Sequence, residues 1–294
     1  MFVIKYKKIF VSISIILVIL SIGAIAYFGL NMGIDFKGGS LTEIEYTTTR
    51  PDQSVVEESI KSLNVGQALI QPMGEKGFSI KTRYITDKEH QEIIATLGKD
   101  AVEKSFTSIG PSVGTELVRK SIISFILVSL GIIFWIAFSF RKVSKPVSSW
   151  KYGLIAIVTL IHDIMIPVGV FAILSHISGV EVDTLFVVAV LTVLGLSVSD
   201  TIVVFDRIRE NIRVGHFKTF NETVGRSLNQ VFARSIATSS TVIIALLALV
   251  FWGPASTKVF ALMLTAGMFF GTYSSIFLAS PLLVFVEGWQ KGKK

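Results

Sequence analysis

Six stretches of this chain are too apolar and too long to be at home in water. They run near residues 9–30, 122–140, 152–175, 185–205, 235–252 and 259–286. A helix crossing ~30 Å of hydrocarbon needs about 20 mostly apolar residues, and all six meet that length within a few residues. The last is long enough to tilt, and Pro281 is expected to bend or end it near the membrane surface. The fifth is the shortest and needs its polar start, Ser235 to Thr241, inside the bilayer. The expected fold class is therefore an α-helical polytopic membrane protein with six transmembrane helices. Its first segment reads as an uncleaved signal-anchor helix: the apolar run exceeds the usual ~7–15 residues, and no A-x-A cleavage site follows it.

Composition agrees where it is needed. Hydrophobic side chains make up 51% of the 294 residues and charged ones only 17%, against about 25% charged in soluble domains. The absence of cysteine excludes a thiol nucleophile, a thiolate zinc site, an iron–sulfur cluster and a disulfide framework. No Walker-type phosphate loop is present either, so the chain does not read as an ATPase.

The formal charge of +7 is explained once it is sorted by side. Lys5, Lys7 and Lys8 precede the first helix, and Arg141, Lys142, Lys145 and Lys151 fill the loop after the second. Arg207, Arg209, Arg213, Lys218, Arg226 and Arg234 lie between the fourth and fifth, and Lys291, Lys293 and Lys294 close the chain. That puts 16 of 28 basic residues on one side, whereas the loop 31–118 holds 9 basic against 13 acidic. The positive-inside rule then places a multi-pass protein in the plasma membrane, both termini cytoplasmic and residues 31–118 extracytoplasmic. The expected parts are residues 1–30, the N-terminus and first helix, and 31–118, the outer domain. Residues 119–286 carry helices two to six with basic loops 141–151 and 206–234, and 287–294 form a basic tail. Nucleic acid is not needed to explain the charge; membrane lipids or a partner suffice.

The outer block reads strand, helix, strand, strand, helix, strand. Residues 41–46 alternate as a half-buried strand does. Ser54-x-x-Glu57 and Thr86-x-x-Glu89 are capping-box signatures opening two helices. Residues 68–73 and 78–85 flank Gly74-Glu-Lys-Gly77, a hairpin signal, and 101–109 supply a last strand. This is the ferredoxin-like split βαβ order, a small α+β domain between helices one and two. His90, its one histidine, is expected on an exposed helix, so a metal or catalytic site there is not expected.

The informative residues are those a bilayer should exclude. Asp163 lies midway along the third helix beside His162; Asp200 lies about five residues from the cytoplasmic end of the fourth; Arg234 opens the fifth from the same side. Such groups are costly in hydrocarbon and usually face a bundle interior, a partner or water. Two readings of Asp200 and Arg234 stand side by side: a static ion pair that fixes helix register, or a proton relay. Burial disfavours a carboxylate and an adjacent guanidinium favours it, so an Arg that moved would switch the carboxyl between capture and release. Contact or a one-water separation between Asp200 and Arg234 is expected in at least one state. Ser197, Ser199 and Thr201 surround Asp200, and Ser197, at i−3, is expected to help carry water to it. Asp163 and His162 are expected to bond neighbouring helices, the polar stretch 238–241 among them. Gly267, Gly271 and Ser275 follow a small-xxx-small packing pattern. An intramembrane aspartyl protease is disfavoured, because its G-x-G-D context is absent and a nearby Arg would spoil a shared-proton dyad.

Four motifs carry a resemblance. Gly33-Ile-Asp-Phe-Lys-Gly-Gly-Ser40, with Asp35, Phe36, Gly38 and Gly39, resembles the G-[IL]-D-F-x-G-G signature of the SecD/SecF protein-export subunits. Ser108-Ile-Gly-Pro-Ser-Val-Gly-Thr-Glu-Leu117, with Gly110 and Pro111, is the second match; GLSVSDTIVVFDRIREN from Gly195 and NQVFARSIATSST from Asn229 are the third and fourth. They occur in family order, and the short outer domain and DRIREN string favour the SecF side of the family. Leu196 stands where an aromatic is frequent and Ser199 where Asn is frequent.

The resemblance implies six helices of RND-transporter type, pairing with SecD into a twelve-helix unit, and association with the SecYEG channel. It implies that the outer domains act on the emerging preprotein, using the proton-motive force. By motif position Asp200 and Arg234 correspond to the family's proton-pathway residues, and Asp163 to its His-Asp motif. It implies no cofactor, metal or catalytic residue: an auxiliary subunit, not an enzyme. A membrane scaffold that moves no protons is the alternative, and Asp200→Asn separates the two. A small-molecule exporter is disfavoured by the single short outer domain.

Overall fold

In a computed structural model, which describes residues 2–139, 147–215 and 217–291, a short helix α1 (Phe2–Lys5) leads into α2 (Lys7–Phe28). Then come α3 (Ile34–Lys37), β1 (Gly39–Tyr46), α4 (Gln53–Lys61), β2 (Leu69–Met73), β3 (Gly77–Thr82), α5 (Asp87–Leu97) and β4 (Ala101–Ile109). Five further long helical segments follow: α6 (Pro111–Ser139), α7 (Ser149–Ser178), α8 (Thr184–Val214), α9 (Phe220–Trp252) and α10 (Ala255–Ser274), the last continued by α11 (Ser280–Lys291). Arg141, Lys142, Lys145, Lys293 and Lys294 lie outside the described residues. Among the described residues six helices are long and apolar enough to span a bilayer, in the order expected. The chain divides into two units, Met32–Ile123 and the remainder.

The smaller unit is an α+β domain. Its four strands pair antiparallel in the order β2-β3-β1-β4. Alternation along β1 turns Ser40, Thr42, Ile44 and Tyr46 inward, as a period of two requires. Ile44, Phe78, Ile80, Ile60 and Ile93 are at most 1% exposed, and each contributes roughly 1.5–3 kcal/mol by leaving water.

Two local expectations need correction. The α4 helix starts at Gln53, after Pro51 and an extended Asp52, so Ser54 lies inside the first turn and caps nothing; Gln53 instead donates to Glu57 at 2.7 Å. The Thr86–Glu89 box does form and caps α5. His90 is not exposed: at 9% exposure it shares the buried stripe of α5 with Ile93 and Leu97 and stacks on Phe106 of β4, with ring centroids 3.6 Å apart. Spacings of three and seven residues put all three on one helix face.

The glycine motif is a packing device. Gly38 has φ +77°, and a Cβ there would meet the Pro111 backbone at 2.9 Å. The motif that leads into β1 and the motif that follows β4 therefore close on each other, with Phe36 buried beside them.

In the helical unit, α10 packs against α7, α8 and α9, and α2 lies along α7. The third and sixth spans bury more than half of their apolar windows within the chain; the first, second and fifth bury little. Close approach is made possible by small residues. A Cβ on Gly267 would meet Val193 of α8 at 2.1 Å, and one on Gly271 would meet Ser197 at 3.1 Å. The sixth span does not end at Pro281. Five residues, Ser275–Ala279, widen into a π turn and the helix then runs on to Lys291. Proline cannot donate to the carbonyl four residues back, and the wider turn absorbs that mismatch.

Candidate functional site

Helices α7, α8, α9 and α10 bring two carboxyls and a set of hydroxyls together. Asp163 is fully buried. One of its oxygens lies 2.8 Å from His162 Nδ1 on the same helix. The other accepts the Ser197 hydroxyl from α8 and the Ser274 hydroxyl from α10 at 2.7 Å. A carboxyl with three partners from three helices is solvated by protein in place of water, which is how a bilayer tolerates one.

Asp200 is only partly buried. It accepts hydroxyl bonds from Ser239 of α9 at 3.2 Å and from Thr272 of α10 at 3.1 Å. Thr272 also reaches Ser239 at 2.6 Å. At the next position along α8, Thr201 is joined to Ser275 at 2.8 Å. Along α10 the anchors of the two carboxyls, Thr272 and Ser274, are separated by ~3 Å of helix rise. Each carboxyl has its own hydroxyl set, and among the described residues no bond joins the two.

The structure thus redistributes the expected partners. Ser197 belongs to Asp163, not Asp200, and Ser199 is exposed. The polar start of the fifth span bonds Asp200 through Ser239, whereas Asp163 turns to α8 and α10. Ser275, read as a packing residue, also holds Thr201. The expected Asp200–Arg234 contact is absent among the described residues. Ser235 and Ser239, one turn apart, face the bundle at 3% exposure each. Arg234, one residue earlier, is rotated ~100° away and is exposed on the outer face of α9. Nothing in the sequence marks out Thr272 and Ser274, because a serine or threonine in an apolar helix reads as a small packing residue. Among the described residues no cluster of three or more His, Asp or Glu could hold a metal.

Comparison with known proteins places this geometry. Residues 89–289 match the family described as "Protein export membrane protein SecD/SecF, C-terminal", and residues 23–49 match the "SecD/SecF GG Motif". The protein translocase subunit SecF of Thermobaculum terrenum is 40% identical over 96% of this chain and 92% of its own length. That of Anaerolinea thermophila is 34% identical over 98% and 93%. The crystal structure of SecDF from Thermus thermophilus, described as a translocon-associated membrane protein, superposes with a TM-score of 0.82 at 29% identity. It covers 98% of this chain, which spans only 38% of the length of that one. With a family match over most of its length and near full-length relatives at 34–40% identity, the chain belongs to the SecF family of protein translocase subunits of the Sec export pathway.

Proposed function

We propose that this subunit pairs with SecD and uses the proton-motive force to promote preprotein translocation, with Asp200 as the proton-carrying group. The observation that carries this is the setting of Asp200: a partly buried membrane carboxyl held by two hydroxyls, Ser239 and Thr272, that come from two other helices. Hydroxyls bond a carboxylate and a carboxylic acid alike, so Asp200 can change charge without losing its neighbours. Arg234 sits five residues before Ser239 on α9 and faces outward, so it reaches Asp200 as a movable counter-charge only when α9 turns. One charge crossing 100 mV releases ~2.3 kcal/mol, a bias of about fiftyfold on a two-state motion. Asp163, locked by His162, Ser197 and Ser274, acts as a fixed reference beside the separate set around Asp200.

The rest of the reading follows the charge distribution and the fold. Both termini lie in the cytoplasm. The α+β domain, of ferredoxin-like order, lies on the opposite side and contacts the emerging preprotein. The exposed face of α9, with Arg234 among apolar neighbours, suits a partner helix that offers a carboxylate, and SecD supplies it. The six RND-type spans then form one half of a transporter that works beside the SecYEG channel among the lipids of the plasma membrane.

The test is preprotein release from vesicles holding this chain with SecD and SecYEG, with and without an uncoupler. Wild type should release preprotein faster when energised; Asp200→Asn should assemble normally and release at the uncoupled rate. Energised release that survives Asp200→Asn would assign the network a scaffold role.

A further inference from the structure

Between the first, third and sixth spans lies a cavity of about 280 Å³ whose walls are aliphatic except for two polar side chains, Ser14 and His162. Both are nearly sealed from solvent, at 1% and 2% exposure. His162 uses one ring nitrogen only. Its Nδ1 is on Asp163, while Nε2, on the opposite side of the ring, makes no hydrogen bond among the described residues. Ser14 is similarly placed. A helical serine can donate to the carbonyl four residues back, but the Phe10 carbonyl takes the Tyr273 hydroxyl at 3.3 Å. The Ser14 hydroxyl lies beside that tyrosine without a bond of good geometry.

Buried polar atoms of this kind ordinarily have a partner. The surroundings say what sort. Ile15, Ile19 and Ile161 line the cavity and are also 53%, 61% and 52% exposed, so it opens on the face the helices turn toward acyl chains. Ser14 lies roughly 10 Å along α2, below headgroup depth. Apolar cavities of about 150 Å³ stay dry and take up benzene-sized ligands; this one is larger and similarly lined. Water alone is a poor filling for it. A hydroxyl, by contrast, serves either ring tautomer, since it donates to a lone pair and accepts from an N–H.

We propose that this cavity binds a neutral membrane amphiphile, an alkyl or isoprenoid chain bearing one hydroxyl, whose hydroxyl bridges His162 Nε2 and Ser14 Oγ. The chain lies along the aliphatic walls and enters sideways from the bilayer. The site is independent of whether Asp200 carries protons.

The purified chain in nanodiscs of fixed phosphatidylcholine and phosphatidylglycerol content, photolabelled with diazirine-bearing hexadecanol, tests this by mass-spectrometric mapping. Labels should concentrate on residues 11–19 and 158–162, and dodecanol should compete about fivefold better than dodecane. Val18→Trp fills the cavity while keeping both Ser14 and His162 in the chain, and should remove the label. His162→Leu should bring the alcohol preference close to one; if that variant does not fold, Val18→Trp decides. Labels spread evenly over the lipid-facing helices, equal competition by dodecane in the wild type, or undiminished labelling of Val18→Trp would each overturn the proposal.

Discussion

Thr272 places its hydroxyl 3.1 Å from the Asp200 carboxyl, so the sixth span reaches a membrane acid that is only partly buried. The same hydroxyl lies 2.6 Å from Ser239, which closes a three-residue ring across α8, α9 and α10. Any movement of α9 against α10 must break or stretch that ring.

Thr272→Val keeps the shape and removes the donor. Asp200 is left with Ser239 alone, at a cost of about 1 kcal/mol. Energised preprotein release should slow roughly fivefold, with normal membrane insertion, and Thr272→Ser should restore most of the rate. Release kinetics of the three proteins side by side check this.

Gly267→Val tests the packing of α10 on α8. Its added atoms collide with Val193, and overpacking of this kind costs about 1–3 kcal/mol. The melting temperature in detergent should fall by several degrees. Gly131→Ala in α6, where a Cβ meets nothing within 4 Å, should leave it unchanged.

Much of this architecture is legible in the sequence because its cause is local. Each span announces itself by length and apolarity alone, and the Thr86–Glu89 cap needs only three residues of context. The hydroxyl network is not local. Ser197 sits three residues from Asp200, yet its partner is Asp163, 34 residues away, because helix rotation depends on packing that no single helix encodes. Thr272 is 72 residues from Asp200. His90 shows the other kind of failure: its spacing to Ile93 and Leu97 marks the buried stripe, and histidine's polarity hides that signal.

In the α+β domain the Glu89 carboxyl is held near pKa 2, well below its ordinary value of 4.5. The Thr86 backbone N–H is the largest cause, then the Arg83 guanidinium and the Thr86 hydroxyl. A depressed carboxyl adds stability that is fully present above its unfolded value and fades as pH falls through the folded one. Protection of α5 amides from hydrogen exchange should therefore drop between about pH 4.5 and pH 2. In Glu89→Gln it should be lower at neutral pH, and that part of the pH dependence should vanish.

Arg234 is exposed on α9, and the proposed partnership gives it an acid on SecD. Arg234→Glu should reduce co-purification of SecD about tenfold, and Arg234→Lys far less. A surface charge with no partner would leave the yield unchanged in both variants.

Proton flux addresses the central claim most directly. Vesicles holding this chain with SecD, loaded with a pH-sensitive dye and given a membrane potential, report it without a preprotein assay. Wild type should acidify or alkalinise the lumen as the imposed potential dictates, Asp200→Glu should retain flux, and Asp200→Asn should fall to the level of empty vesicles. Flux in Asp200→Asn equal to that of the wild type would contradict the assignment of Asp200 as the proton carrier.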